Sequence, residues 1–229
     1  MSEQFSFSGS AILLLVVYHV RLFYLLKCQP ERTSIGTSNN IRTRWVERIM
    51  TEHRDVLAVQ TLRNLTMAAS FLASTAIMID LWLMNAILGD PSRENTFRIL
   101  ATDGFSQEKL WIHKLILLTI VFMFCFANFM LSIRYYNHVA IFINVIPEEN
   151  NVRHFQKPGF FIDMSQLPQV EIGIRRVAET LNLGAAHHTL GMRGYYLVLP
   201  LSLWLIDARW FFVGTLLILL VLRRVDSSE

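Results

Sequence analysis

The sequence contains few residues suited to covalent or redox chemistry. Its 229 residues include two cysteines, Cys28 and Cys125, and neither lies in a CxxC motif, so no disulfide framework or cysteine-based metal centre is indicated. Cys125 lies within an apolar run, where a cysteine is most simply a small buried hydrophobe. The chain also lacks a glycine-rich phosphate loop, an HExxH motif and any Ser-His-Asp or paired-carboxylate arrangement. We therefore expect a non-enzymatic protein without a metal or cofactor.

Charge is scarce as well. Only 17% of the residues are charged whereas 53% are hydrophobic, and the mean hydropathy of +0.38 is too high for a soluble domain of this length. The net charge of +3 is modest, and the aromatic residues lie in apolar runs, so nucleic-acid binding has little support. Glycine and proline are few, at 10 and 6, and no repeat or linker interrupts the chain. These features predict one all-α integral membrane domain over residues 1–229.

Three apolar runs are long enough to form membrane-spanning helices, which need about 20 residues. They cover Phe7 to Leu26, Leu65 to Leu88, and Leu115 to Ile133. The ten residues at the N-terminus contain no Lys or Arg, whereas a cleaved signal peptide has a basic n-region. We therefore expect the first run to be retained as an anchor.

Two polar segments carry helical periodicity. Ile41, Trp45 and Ile49 recur at helical spacing, which predicts a short helix lying against the membrane or the bundle. A second amphipathic helix is predicted from Ser165, a capping residue, to Gly184, which is suited to a helix end. Its apolar face could pack on the bundle or bind lipid or a partner, and both interpretations stay open.

The loop charges predict an orientation. Basic residues are concentrated after the first and third runs, and the opposite loop holds only three, Arg93, Arg98 and Lys109. By the positive-inside rule, the N-terminus lies outside and the first and third loops are cytoplasmic. The two basic segments contain Lys27, Arg32, Arg42, Arg44, Arg48 and Arg54, and then Arg153, Lys157, Arg175, Arg176 and Arg193.

The last apolar stretch, Gly194 to Leu222, has Asp207 and Arg209 near its middle. One continuous span would place both charges in hydrocarbon, at a cost of about 2.5–3.5 kcal/mol each. A helical hairpin that turns at Asp207 avoids this and returns the C-terminus to the cytoplasm, although its arms of about 13–15 residues are only about 20–22 Å long. We predict three full spans and a short C-terminal hairpin, with four full spans as the alternative.

Five stretches of the chain place particular polar residues among apolar ones. They are VVYHVRLF (Val16 to Phe23), SIGTSNNIRTRWV (Ser34 to Val46), VLAVQTLRNLTMAASFLASTAIM (Val56 to Met78), SIRYYNHVAIFINV (Ser132 to Val145) and RGYYLVLPLSLWL (Arg193 to Leu205). In these stretches, which are distributed over most of its length, the chain resembles an uncharacterised family of plant, algal and bacterial membrane proteins, domain-of-unknown-function family 599. The resemblance implies a multi-pass helical membrane fold and brings no established activity.

A set of basic residues is predicted at one depth, near the cytoplasmic ends of the three runs. It consists of Arg21, Arg63 and Arg134 with His19 and His138. Converging guanidinium and imidazole groups could bind a phosphate, a carboxylate or an anionic lipid headgroup. The alternative is that each arginine extends to the membrane surface independently.

Asp80 is the only acidic residue within the three predicted spans. An acid at this depth is expected to pair with a basic residue, here Lys114 or Arg209, or to line a path for an ion or proton.

Ala69, Ala73 and Ala76 form a small-residue stripe on the same span. Such stripes allow close helix packing, either within the chain or in a homo-oligomer.

These observations leave three functional hypotheses. The first is an oligomeric channel- or transporter-like protein with a cytoplasmic anion or lipid site. The second is a structural or accessory subunit of a larger membrane complex. The third, less favoured, is a haem-binding electron-transfer protein, for which His19 and His138 are the one pair at comparable depth. The expected partners are membrane lipids and either further copies of the chain or other subunits.

Overall fold

The chain folds into long helices. The structure is a computed structural model that describes residues 2–28, 33–52, 54–88, 108–145 and 167–226. Within these ranges almost every residue is helical and no strand is formed, which confirms the all-α prediction. The six helices are α1 (Ser2–Cys28), α2 (Ser34–Thr51), α3 (Asp55–Leu88), α4 (Glu108–Val145), α5 (Leu167–Ile206) and α6 (Ala208–Asp226).

Two of the helices are long and apolar enough to cross a membrane. Their apolar stretches are Val56–Leu88 in α3 and Trp111–Ile143 in α4, and each contains the run predicted from the sequence. In α1 the apolar stretch Ser8–Tyr18 is shorter. With 38 residues, α4 is about 57 Å long at 1.5 Å per residue, so it exceeds the hydrocarbon core of a bilayer, about 30 Å thick.

The long helices pack in the order α3, α4, α5, α6 and α1, each mainly against its neighbours in that order. Helices α4 and α5 are antiparallel, because Tyr136 lies against Gly184 and Cys125 lies against Gly194. The shorter helix α2 packs mainly on α5. This arrangement places α1 and α3 at opposite flanks of the bundle.

Two buried clusters hold the bundle together. The first lies at the end where α2 docks, and the second is formed mainly between α3 and α4. The first contains Val46, Ile49, Ala58, Leu62, Tyr136, Val139, Ile143, Val177, Ala178 and Leu181. The second contains Ala73, Ala76, Leu83, Leu115, Leu118, Phe122, Cys125 and Phe129.

Helix α2 lies against the bundle, one of the two positions predicted for it. Thr33 caps its first turn by accepting a hydrogen bond from the Gly36 N–H at 3.2 Å. Of the predicted apolar face, Ile49 is buried and Trp45 packs against the first cluster, whereas Ile41 is exposed.

The predicted helix end at Gly184 is wrong, because α5 continues to Ile206. Gly184 is instead required for close packing: a Cβ atom there would lie 2.9 Å from Tyr136 Cε1. Gly191 and Gly194 follow on the same helix, and a Cβ would lie 2.6 Å from Phe129 and 2.2 Å from Cys125, respectively. The three glycines form a glycine seam along which α4 and α5 approach closely.

The chain reverses direction at Asp207, as the hairpin prediction requires. Asp207 separates α5 from α6 and caps α6, since its Oδ1 accepts a hydrogen bond from the Arg209 N–H at 3.0 Å. Gly214 then lets α6 pack on α5, because a Cβ at this position would lie 2.8 Å from Leu203 Cδ1. Both arms are longer than predicted. Helix α6 has 19 residues and is about 28 Å long, and α5 begins at Leu167, well before Gly194.

Candidate functional site

Two of the predicted basic residues lie at the same end of adjacent helices. Arg63 follows Leu62 on α3, and Arg134 lies two residues before Tyr136 on α4; Leu62 and Tyr136 both belong to the first cluster. Both arginine side chains are exposed, and neither takes part in an ion pair within the described part of the chain. His138 is also exposed, and its ring stacks on Phe142 at 6.0 Å between centroids.

The remaining members of the predicted set lie on α1. Arg21 is exposed there, and α1 packs mainly against α6 rather than against α3 or α4. The side chain of His19 lies outside the described part of the structure. Only Arg63, Arg134 and His138 are therefore on helices that pack together directly.

A buried charged cluster joins α1, α5 and α6. Arg193 donates a hydrogen bond from Nη2 to Asp226 Oδ1 at 2.5 Å, and the two side chains are 10% and 11% exposed. The Tyr18 hydroxyl donates to Asp226 Oδ2, whereas Nη1 of Arg193 is buried without a hydrogen bond. Arg193, which was counted as a loop charge in the topology prediction, therefore lies inside the bundle and is neutralised there.

A polar pair, Asn128 and His187, joins α4 and α5. The Asn128 amide donates to the Phe124 carbonyl at 2.9 Å, which leaves Oδ1 of Asn128 as an acceptor. His187 Nδ1 lies 3.0 Å from this oxygen, so Nδ1 carries the proton in this arrangement. The His187 ring also stacks on Tyr135 at 5.5 Å. These contacts orient the histidine between two helices.

Helix α2 contributes a second partly buried cation. Arg42 donates from Nε to Asn182 Oδ1 at 3.0 Å and from Nη2 to Asn39 Oδ1 at 2.6 Å. Burial lowers the pKa of the Arg42 guanidinium from its ordinary value. These hydrogen bonds, to neutral amide oxygens on α2 and α5, fasten α2 to the bundle.

The predicted polar set on the outer half is dispersed. Asp80 is 2% exposed and its Oδ1 accepts no hydrogen bond. Lys114 instead donates to the Trp204 carbonyl at 2.8 Å and lies 5.2 Å from the centre of the Trp204 ring. The backbone N–H of Arg209 binds Asp207. No ion pair in the described part of the chain includes Asp80.

The small-residue stripe is buried within this chain. Ala69 and Ala76 are fully buried and Ala73 is 4% exposed. Ala73 and Ala76 belong to the second cluster, with Phe122 and Cys125 of α4. The stripe therefore serves packing between α3 and α4.

Histidine and acidic side chains do not assemble into a metal site in the described ranges, where no group of three His, Cys, Asp or Glu residues is close enough to hold an ion. His188, adjacent to His187, packs its ring against Phe129 at 5.7 Å. The His19–His138 pair considered for haem lies on α1 and α4, helices that do not pack closely together.

Long apolar helices, a reversal at Asp207 and polar contacts between helices define an all-α protein with two helices of membrane-spanning length and composition. Comparison with known families identifies its family. The chain belongs to the family described as "Protein of unknown function, DUF599", whose model matches residues 7–229. No curated protein and no solved structure matches the chain.

Proposed function

We propose that this protein is a non-enzymatic multi-pass membrane protein that holds anionic lipid headgroups at the end of the bundle bearing Arg63 and Arg134. In this proposal it serves as a structural or accessory unit of a membrane assembly. Its N-terminus faces outside and its C-terminus lies in the cytoplasm, as the loop charges indicate.

Membrane insertion is supported by the side-chain exposure of the two longest apolar helices. Only 22% of the apolar segment of α3 and 33% of that of α4 are buried within the protein. The core helix of a soluble protein would be mostly buried. Large apolar side chains such as Phe71 (74% exposed) and Met78 (66%) point away from the bundle. A surface of this kind is suited to lipid.

The observation that carries the lipid site is a pair of exposed arginines that have no acidic partner among the described residues. Arg63 and Arg134 lie on packed helices at the same end of the bundle, and no ion pair among the described residues includes either. Guanidinium groups bind phosphate oxygens in a bidentate geometry. An anionic headgroup would balance these two like charges.

A structural or accessory role is supported by the way in which the internal polar groups pair with one another. Arg193 binds Asp226, and the Thr75 and Tyr195 hydroxyls lie 2.7 Å apart. Satisfied contacts of this kind bind the helices to one another and leave few polar groups to line an aqueous path.

A second candidate is an oligomeric channel- or transporter-like protein. It is favoured by Asp80, a buried acid whose Oδ1 has no hydrogen bond and which takes part in no ion pair among the described residues. Intramembrane acids commonly mark an ion or proton pathway.

The lipid proposal is tested by replacing both arginines with glutamine. Each basic residue near an anionic surface contributes about 1 kcal/mol, so the double variant should lose about 2 kcal/mol of binding, roughly 30-fold. The measurement is the anionic lipid that co-purifies with the protein, determined by mass spectrometry after exchange into a neutral detergent.

The matched control is Arg209→Gln, since Arg209 is also exposed but lies at the turn between α5 and α6, at the end of the bundle opposite to Arg63 and Arg134. Equal lipid retention by the double variant and the control would contradict the proposal. Orientation is tested separately with tags at both ends probed by protease in intact cells. Termini on the same side would exclude the proposed topology.

A further inference from the structure

Asp80 is a buried acidic residue that has no role in the proposed lipid site. It lies on α3 between Ala76 and Leu83, which both belong to the second buried cluster. The residue is 2% exposed, and its Oδ1 is buried without a hydrogen bond. A structural acid would be expected to have a basic partner at this depth.

The charged and titratable groups on the neighbouring helices bind elsewhere. On α4, Lys114 donates its hydrogen bond to the Trp204 carbonyl of α5. On α5, the Tyr195 hydroxyl donates to the Leu72 carbonyl at 2.8 Å and contacts Thr75. The hydrogen bonds and ion pairs of the described residues therefore leave the charge of an ionised Asp80 without a partner.

Among the described residues, the interface between α3 and α4 supplies no compensating group. Thr119 is on α4 between Leu115 and Phe122, two members of the second cluster, and its Oγ1 is also buried without a hydrogen bond. A buried polar atom without a hydrogen bond is unfavourable in an apolar interior, and an ionised carboxylate without a partner is far more unfavourable. A proton on the Asp80 carboxyl would remove that charge.

We propose that Asp80 is a proton-binding site, whose carboxyl group is neutral within the bundle and can exchange its proton. The proton binds one carboxylate oxygen and leaves from the same oxygen, so the site needs no further reactant. This proposal goes beyond lipid binding and does not depend on it, because Asp80 lies in the second cluster whereas Arg63 and Arg134 adjoin the first.

The test uses the full chain in lipid nanodiscs and dicyclohexylcarbodiimide, an apolar reagent that reacts with protonated carboxyl groups. The carboxyl oxygen adds to the central carbon of the reagent and the proton moves to a reagent nitrogen. The acyl group then migrates from that oxygen to the other reagent nitrogen, which gives a stable N-acylurea with the mass of the whole reagent added. Peptide mapping should locate this adduct at Asp80 in the wild-type protein, and Asp80→Asn should reduce labelling to background. The control Asp207→Asn, at the capping position between α5 and α6, should not change labelling of Asp80.

A second measurement removes the dependence on reagent access. Infrared difference spectra of the wild-type protein and Asp80→Asn should show the carbonyl stretch of a protonated carboxyl group, shifted by exchange into deuterated water. A missing band together with missing labelling would overturn the proposal. Protection from labelling by Na⁺ or Li⁺ at constant pH would also overturn it, because the site would then bind a metal cation.

Discussion

Asp80, which is buried, and Asp226, whose side chain is 11% exposed, are two acids in contrasting surroundings. Asp226 on α6 binds both Arg193 of α5 and Tyr18 of α1, so that both of its carboxylate oxygens have partners. Asp80 on α3 is buried to a greater extent, yet no ion pair among the described residues includes it and its Oδ1 has no hydrogen bond. Asp226 therefore has the surroundings of a residue that joins helices, whereas those of Asp80 fit the neutral carboxyl group that we propose for it.

The contrast follows from the helices that carry the two residues. Helix α1 packs mainly on α6, and the Tyr18–Asp226 hydrogen bond is part of that contact. Helix α3 is already held against α4 by a continuous apolar interface that includes Ala73 and Ala76. The Asp226 carboxylate is thus part of a contact between helices, whereas apolar side chains form the contact between α3 and α4 around Asp80.

The largest expected effect is that of Asp226→Asn. The amide keeps the shape but removes the charge that balances Arg193, and an unbalanced buried charge costs about 3–5 kcal/mol. The free energy of unfolding, measured by denaturant titration in detergent, should fall by this amount. If it is unchanged, Arg193 is neutralised by another group and the comparison with Asp80 fails.

A double substitution sharpens this result. In Arg193→Met with Asp226→Leu, neither charge is left unpaired, and apolar residues of similar size often replace a buried ion pair with little loss. We expect the double variant to recover most of the stability lost in Asp226→Asn. A double variant less stable than the single one would show that the pair itself contributes the stabilisation.

A smaller effect is expected for Gly194→Ala, next to Arg193 on the glycine seam. The new Cβ would lie 2.2 Å from Cys125 Sγ, and overpacking of this kind costs about 1–3 kcal/mol. The loss of thermal stability should be partly reversed by Cys125→Ala, which removes the sulfur. Gly9→Ala is the control, because a Cβ at Gly9 meets nothing within 4 Å.

The sequence predicted much of the fold because hydrophobic length and charge position are local properties. The apolar runs predicted the positions of α3 and α4, and the charges at Asp207 and Arg209 predicted the reversal there. Gly184 was misread, because a glycine that ends a helix and a glycine that admits a neighbouring side chain have the same local pattern. Only the position of Tyr136, 48 residues away in the chain, distinguishes the two cases.

The partners of charged residues were harder to predict, because they depend on which helices become neighbours. Arg193 was read as a loop charge. A hairpin at Asp207, however, brings the residues that precede its first arm close to those that follow its second arm, and Arg193 and Asp226 are two such residues. This signal could have suggested Asp226 as the partner of Arg193. Asp80 was expected to pair with Lys114 or Arg209, and no local pattern indicated that Lys114 would bind the Trp204 carbonyl.

The smallest effect is expected for Asp80→Asn. If the Asp80 carboxyl is neutral, its amide replacement has a similar shape and no new charge, so the free energy of unfolding should change by less than about 1 kcal/mol. The measurement is the same denaturant titration used for Asp226→Asn, which makes the two acids directly comparable. A loss as large as that of Asp226→Asn would show that Asp80 has a partner that stabilises its charge. A gain of several kcal/mol would show that Asp80 is ionised, because the amide would then relieve an unpaired buried charge.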